Sequence, residues 1–474
     1  MLTEYQMLIN GIWHSGKKMI EVVNPYNHQV IGKVPQASEQ DVDAAIRAAQ
    51  KGVAAISAMP SHQRSKILES MSLLLTHQCE QMAKLIASES GKAYKYALAE
   101  VGRAVETFKC AAEEAKRIHG ETISMDASEG AENRMGFYLR MPVGVIAAIS
   151  PFNFPLNLVV HKVAPAIAAG NAVVLKPATA TPLTALKMAE MLMECGLPDG
   201  ALNVVIGSGA TVGDWLVQDS RVDMVTFTGS PAVGKYIMTR GGLKKYTMEL
   251  GSNCAVVVCE DGDYEKAAPR CVVGSFANSG QICISVQRIY IQRSVFDRFA
   301  DMFIAASKNQ IVGDPLDKNC DVGPMINLQE AERAEHWVRE AVEMGATILT
   351  GGVRNGAMFE PTVLTNVKPD MKVIRDEVFA PVVSLIPFDE FDDALQQVND
   401  SKYGLQAGIY TERIDRAFQA IKMINVGGVM INDFPTFRVD HMPYGGNKES
   451  GIGREGLKYA IEEMTNIRMV CFNL

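Results

Sequence analysis

Cys283 stands in the stretch Gly274–Arg288, G-S-F-A-N-S-G-Q-I-C-I-S-V-Q-R. A helix-compatible run ends at Asn278-Ser279-Gly280, and an apolar alternating segment (Val286, Ile289, Ile291) after the cysteine reads as a strand. A side chain in a turn between regular elements is open to a ligand. Alone, this cysteine is either a thiolate nucleophile or a small buried hydrophobe. Glu249, in M-E-L-G at a strand end, is either paired structurally or tuned upward for general-base work. Asn153, in P-F-N-F-P, either donates to a developing oxyanion or only shapes a turn. Lys176 follows an apolar strand, where it is either solvated or aimed at a ligand beyond the sheet. In F-T-G-S-P, Gly229 turns the chain, Ser230 can cap and Pro231 suits a first helical turn, so exposed amides there could receive a pyrophosphate. The glycine run 207–213, G-S-G-A-T-V-G, lacks the G-x-G-x-x-G spacing, and no G-K-[ST] follows, so P-loop ATP hydrolysis is unsupported. None of these residues settles the chemistry alone.

The elements that must position them alternate. Val143–Ile149, Ala172–Leu175, Leu202–Ile206 and Met224–Phe227 read as strands, separated by helical stretches at 159–169 and 182–194. Such a β-α-β succession predicts a parallel doubly wound sheet with its ligand beyond the carboxyl ends of the strands. A second α/β region begins after Gly251, with a strand at 255–258, a helix at 263–277, a strand at 286–292 and a helix at 295–308. Ahead of both, 39–119 carries apolar residues at helical spacing in three helices, following short strands and turns around Asn10-Gly11 and Asn24-Pro25. Residues 134–141 read as an extended arm and 468–472 as a closing strand.

At 474 residues the chain holds two or three domains, and 47% hydrophobic with 21% charged residues is a soluble globular composition. A net charge of −8 gives no footing for nucleic acid or an anionic membrane. Nine cysteines without C-x-x-C spacing point to reduced thiols rather than zinc or disulfides. No signal-like leader or membrane-length apolar run is present, so the expected compartment is the cytoplasm.

The motifs become decisive in order: P-F-N-F-P, K-P-A-T, F-T-G-S, E-L-G-S, G-Q-I-C, E-V-F-A-P and P-Y-G-G-N-K-E-S-G-I-G-R-E. In this order they resemble the aldehyde dehydrogenase superfamily over nearly the whole chain. The resemblance implies an atypical Rossmann cofactor domain (1–120 and 142–249), an α/β catalytic domain (250–455) and a small β oligomerisation arm (121–141 and 456–474). It implies Cys283 as nucleophile, Asn153 with the Cys283 amide as oxyanion donors, and Glu249 as the base that activates the hydrolytic water. Lys176 matches the adenosine-ribose lysine, Gly229 and Ser230 the pyrophosphate turn, Glu377 the carboxylate holding the nicotinamide ribose, and Phe379 the ring beside the nicotinamide. Lys162 and Glu455 match positions with orienting or proton-relay roles in some members. A glutamate three residues after the lysine would repel a 2′-phosphate. Thr179 stands there instead, and with no second basic residue in view NAD is the expected cofactor, with NADP open.

By motif alignment, Arg103, His161 and Arg438 fall where family members line the aldehyde tunnel. Taken singly, Arg103 also reads as a surface residue, His161 as a satisfied core histidine and Arg438 as the partner of Asp440. Three basic residues on one tunnel suit an anion. The resemblance is nearest to the branch of lactaldehyde, sulfolactaldehyde, phosphonoacetaldehyde and non-phosphorylating glyceraldehyde-3-phosphate dehydrogenases. Members handling phosphate or phosphonate often place arginine before the cysteine, whereas Ile282 stands here. The expected substrate is a short anionic aldehyde, 3-sulfolactaldehyde or a related sulfo- or phospho-aldehyde first, with lactaldehyde or succinate semialdehyde as alternatives. A CoA-acylating semialdehyde dehydrogenase typically lacks the base that Glu249 matches. Family members are homodimers or homotetramers, and the arm is expected to pair with a neighbouring copy.

Overall fold

The runs Val145–Ile149 and Ala172–Lys176 have no polar face, so they belong inside a sheet covered on both sides. The computed structural model, which describes residues 3–474, puts them there. Five parallel strands lie in the order Leu202–Val204, Ala172–Lys176, Val145–Ile149, Met224–Thr228, Lys245–Glu249. An antiparallel hairpin, Met7–Ile9 with Ile12–His14, extends one edge, and Gly451–Ile452 adds antiparallel to the other. The hairpin turns on Asn10-Gly11, both at positive φ.

After that hairpin the chain enters the parallel part of this sheet at Val145–Ile149, steps outward through two strands, then returns to the opposite side with Met224–Thr228. That reversal opens a crevice at the carboxyl ends. Register aligns its mouth: Ile149 pairs with Lys176, Phe227 with Ile149, and Thr228 with Glu249. A second sheet follows Gly251, ordered Thr347–Thr350, Thr362–Thr365, Val382–Phe388, Arg288–Gln292, Ala255–Val258, Gln406–Tyr410, Gly428–Ile431. All its pairings are parallel except the first.

The helical region corrects one expectation. Four helices, not three, occupy it: Glu39–Ala58, Ser61–His77, Cys79–Ser90 and Tyr94–Glu114. Gln78 alone separates the second from the third, with no glycine or proline to mark the break, and only Gly91 at φ 74 stops the third cleanly. Arg134–Pro142 pairs antiparallel with Thr465–Asn473 along its whole length, and Thr122–Ile123 adds a short third strand. Between arm and core, the helix Leu457–Glu463 buries Leu457 and Ile461 in the core around the first sheet. No helix among the described residues is long and apolar enough to cross a membrane.

Candidate active site

The helix Tyr264–Phe276 ends in a turn in which Asn278, Ser279 and Gly280 all take positive φ (53°, 56° and 70°). Such backbone is costly for asparagine and serine and persists only where surroundings enforce it. Here they do. Asn278 Nδ2 donates to the carbonyls of Asn153 and Gln281, Ser279 Oγ donates to the Gly323 carbonyl, and Gln281 Oε1 accepts from the Ile326 amide. At Gly280 a Cβ would lie 2.0 Å from the Ala380 carbonyl oxygen, so only glycine fits. The turn delivers Cys283 to the wall of a cleft of about 1110 Å³, which also touches Asn153, Lys176, Gly229, Ser230, Glu249, Glu377 and Phe379.

Asn153 is held from two sides. Its Nδ2 donates to the Gln281 carbonyl at 2.8 Å, leaving the second amide hydrogen free, and Oδ1 is buried without a partner. Behind the loop, Glu100 Oε1 accepts from the amides of Leu156 and Asn157 (2.9 and 3.0 Å) at the start of the helix Asn157–Ala169. Its other oxygen pairs with buried Lys92, whose Nζ lies 3.6 Å from the centre of the Phe154 ring. The loop that carries Asn153 is thus clamped by a carboxylate and a cation.

Glu249, at its strand end, has both carboxylate oxygens buried and unpaired. Burial foremost, then the charge of Glu455, holds its pKa well above the usual carboxylate range, while Arg438 and Lys162 pull the other way. The structural pairing that would have made it bland is absent. Lys176 is buried, with Nζ donating only to the Pro177 carbonyl, and burial lowers it to about 8. Gly213 of the glycine run packs beside its side chain, and Gly209, Ala210 and Gly213 line the cleft. Thr179 turns its hydroxyl to the Gly207 carbonyl at 2.8 Å and does not line the cleft. Ser230 caps the helix Pro231–Gly241, its Oγ accepting from the Val233 amide, and leaves the Ala232 amide free at the helix end. Glu377 Oε1 accepts from the Ser252 amide at 2.9 Å, leaving Oε2 open, and burial lifts its carboxyl to about 7. Phe379, at φ 50, sets its ring edge-on to Phe152 at 6.0 Å. A buried cation, a helix N-terminus and a half-satisfied carboxylate spaced along one cleft are the groups a dinucleotide requires.

Arg103, His161 and Arg438 do come together, though not on that cleft. Asp440 binds two of them: Arg103 in a fork (2.7 and 3.3 Å), and His161 through Nε2 at 2.8 Å. A carboxylate here only accepts, so His161 Nε2 carries a proton toward Asp440; burial and then Arg438 pull the imidazole below its usual value, while Asp440 and Glu455 act upward. The partner of Arg438 is Glu455 at 3.1 Å rather than Asp440, two residues away. Arg438 is buried, its hydrogen bonds all leave from Nη2, and its Nε has no partner. Arg103 is not a free surface residue either; its side chain keeps 30% exposure. Lys162 is buried between Glu455 Oε1 (3.2 Å) and the Thr228 hydroxyl (2.6 Å). Burial works against the Glu455 carboxylate, but Lys162, His161 and Arg438 hold it at about 2.

Sequence reasoning missed Tyr444. Its phenol lies 3.1 Å from Cys283 Sγ, and the Arg438 guanidinium stacks 3.7 Å above its ring. Nothing in P-Y-G-G announces a side chain aimed at a cysteine 161 residues away. Burial pushes the Cys283 thiol up to about 12, with the Tyr444 hydrogen bond acting downward.

The profile of the aldehyde dehydrogenase family matches residues 13–470. A 3-sulfolactaldehyde dehydrogenase of Priestia aryabhattai is 48% identical, over 99% of this chain and 98% of that protein. Aspartate-semialdehyde dehydrogenase 1 of Pseudomonas canavaninivorans is 44% identical, over 96% and 97%. Among solved structures, aldehyde dehydrogenase 21 from Physcomitrella patens, in complex with the reaction product succinate, superposes with a TM-score of 0.98 at 40% identity, over 100% and 99% of the two chains. Glyceraldehyde-3-phosphate dehydrogenase GapN from Methanocaldococcus jannaschii, complexed with NADP, gives 0.93 at 39% identity, over 97% and 100%. With the cysteine turn, the dinucleotide cleft and this agreement along the whole chain, the protein belongs to the aldehyde dehydrogenase family and is an NAD(P)-dependent oxidoreductase acting on aldehydes.

Proposed function

We propose that the protein oxidises a short monoanionic aldehyde to its carboxylic acid, with 3-sulfolactaldehyde as the leading substrate. One observation carries the choice of charge. The group joined to the nucleophile through Tyr444 holds three fixed cations (partly exposed Arg103, and buried Lys162 and Arg438) against two carboxylates (Asp440, Glu455), while burial and Arg438 lower His161. One positive charge is left over, and Arg438 Nε is buried without a partner. A single negative tail balances that excess, whereas a dianion would leave a buried net negative charge beside Glu249. Apolar Ile282 before the nucleophile adds no further cation. A relative named for 3-sulfolactaldehyde supports the same class, and one named for aspartate semialdehyde supports a carboxylate-bearing tail. The carboxylate alternative is succinate semialdehyde, and lactaldehyde stands behind both.

In this reading the Cys283 thiolate attacks the carbonyl carbon. The oxygen becomes an anion held by the free hydrogen of Asn153 Nδ2 and the Cys283 amide. The dinucleotide, when bound, supplies a hydride acceptor. The carbonyl then re-forms as a thioester on sulfur. Water loses a proton to Glu249, attacks the thioester carbon and expels the thiolate, releasing the acid. A carboxylate of raised pKa with both oxygens unpaired suits that base, and disfavours transfer to CoA. Lys176 would hold the adenosine ribose, the amides after Gly229 and Ser230 the pyrophosphate, Glu377 Oε2 the second ribose and Phe379 the nicotinamide face. Among the described residues Lys176 is the one cleft-lining cation without a carboxylate partner, since Lys235, Arg333 and Lys402 pair with Glu449, Glu330 and Asp376. A lone lysine suits ribose hydroxyls better than an added phosphate, so NAD is preferred and NADP accepted. Nine free thiols fit a reducing, cytoplasmic setting. The exposed Met135, Leu139, Ile467, Met469 and Phe472 of the arm fit pairing with further copies as a homodimer or homotetramer.

The test is an aldehyde panel (sulfonated, carboxylated, phosphorylated, phosphonated, neutral) run in parallel with NAD and NADP. The expected order of kcat/KM is sulfonate, then carboxylate, with phosphate and neutral tails far below. Equal rates on propanal, or a phosphate in first place, would reject the monoanion site. Acyl-CoA in place of free acid when CoA is supplied would reject the hydrolytic step.

A further inference from the structure

Tyr444 has a hydroxyl where an aromatic ring alone would fill the space. It is buried in a small apolar cluster with Ala277, Ile282, Ile284 and Leu405, and Cys283 packs against that cluster. A buried hydroxyl is costly without a partner, and among the described residues its one hydrogen bond is to Cys283 Sγ at 3.1 Å. The backbone is equally constrained: Tyr444 and Glu455 exchange amide-to-carbonyl bonds of 3.0 and 2.7 Å. Above the ring, the Arg438 guanidinium at 3.7 Å is itself anchored to Glu455. A cation over a phenol withdraws electron density and strengthens its O–H as a donor.

We propose that Tyr444 serves the nucleophile directly: its phenol donates a hydrogen bond to the Cys283 sulfur, fixing where Sγ points and stabilising negative charge on it. A thiolate can only accept, so the phenol proton stays on oxygen and the bond strengthens as the thiol ionises. The other ionisable groups facing that sulfur are Glu377, Arg438 and Cys254, and Glu249 faces the phenol. Of these, Glu377 and Cys254 oppose a negative sulfur, so Tyr444 and Arg438 are what favour it. The inference rests on Cys283 being the nucleophile.

The experiment measures iodoacetamide alkylation of Cys283 against pH by mass spectrometry of its peptide, which needs no turnover. In Tyr444→Phe the thiol titration moves to higher pH, and alkylation at neutral pH slows roughly tenfold, the equivalent of one pKa unit. Superimposable profiles for wild type and variant would overturn the proposal. Should Tyr444→Phe not fold, 3-fluorotyrosine at position 444, a more acidic phenol, must move the titration to lower pH, and no movement overturns it. Cys283→Ser turnover is measured alongside. Activity there would reject the nucleophile itself, whereas an inactive Cys283→Ser with an unmoved Tyr444→Phe titration rejects only the role of Tyr444.

Discussion

Glu455 bridges Arg438 and Lys162 with one carboxylate oxygen to each, Oε2 to Arg438 at 3.1 Å and Oε1 to Lys162 at 3.2 Å. Its charge also raises Glu249. Glu455→Gln removes that repulsion and frees two cations that favour ionised Glu249. If Glu249 is the base proposed above, it works only when ionised, so the acid limb of kcat against pH moves to lower pH in this variant. A limb that stays in place, in a folded variant, would show that Glu249 does not govern it.

The proposed roles of Cys283 and Glu249 separate kinetically. Cys283→Ala abolishes NAD(P)H formation, first turnover included. Glu249→Gln retains a stoichiometric burst and loses steady-state rate by roughly 100-fold or more, as expected for loss of a general base. Stopped-flow absorbance at 340 nm distinguishes the two, and a missing burst in Glu249→Gln would move Glu249 into the acylation step.

Arg438 is buried and only partly satisfied by protein, and in the proposed reading it meets the substrate tail. Arg438→Ala raises KM for sulfonated or carboxylated aldehydes by about 30-fold or more, the scale of truncating a buried charge pair, roughly 2–5 kcal/mol. The effect on propanal is much smaller. Arg103→Ala, at a partly exposed site, acts in the same direction but less. Equal changes for anionic and neutral aldehydes would contradict the assigned anion site.

Stability carries its own pH signature at Glu89. This buried carboxylate accepts from the Leu183 and Thr184 amides (2.8 and 3.0 Å), yet burial still lifts it to about 7. A carboxyl raised in the folded state binds its proton more tightly folded than unfolded. Its cost is therefore absent below the unfolded value near 4.5, grows as pH rises and is complete above 7. The full cost is roughly 3 kcal/mol by that displacement. In Glu89→Gln the melting temperature relative to wild type rises between pH 5 and pH 8, and a pH-independent difference would contradict the assignment.

Gly280 admits no side chain, with φ 70° and the Ala380 carbonyl 2.0 Å from a would-be Cβ. Gly280→Ala costs roughly 3 kcal/mol or more through strain and displacement of the cysteine turn. Calorimetry reads the lost stability and the alkylation rate of Cys283 reads the displaced sulfur. A wild-type melting temperature would show that the turn relaxes freely.

Much of the molecule was legible in the chain. Uninterrupted apolar runs such as Val145–Ile149 and Ala172–Lys176 could only be interior parallel strands, and the residues ending those strands had to face the crevice. Lys176, Glu249 and the Gly229-Ser230 turn do line that crevice, though placement alone left their roles open between a ligand contact and ordinary structure. The helix Cys79–Ser90 was not legible, because Gln78 breaks the helical run without a breaker residue.

The ordered motifs determined the family and the α/β fold, and pointed to Cys283 as the nucleophile, because each is encoded in local pattern and chain order. The charge partners were decided only by the tertiary structure. Asp440 stands two residues from Arg438 yet binds Arg103 and His161, while Arg438 reaches Glu455. Tyr444 meets Cys283 across 161 residues. Ion pairs and single hydrogen bonds depend on side-chain direction within a few ångströms, and packing between the two sheets sets that direction rather than proximity along the chain.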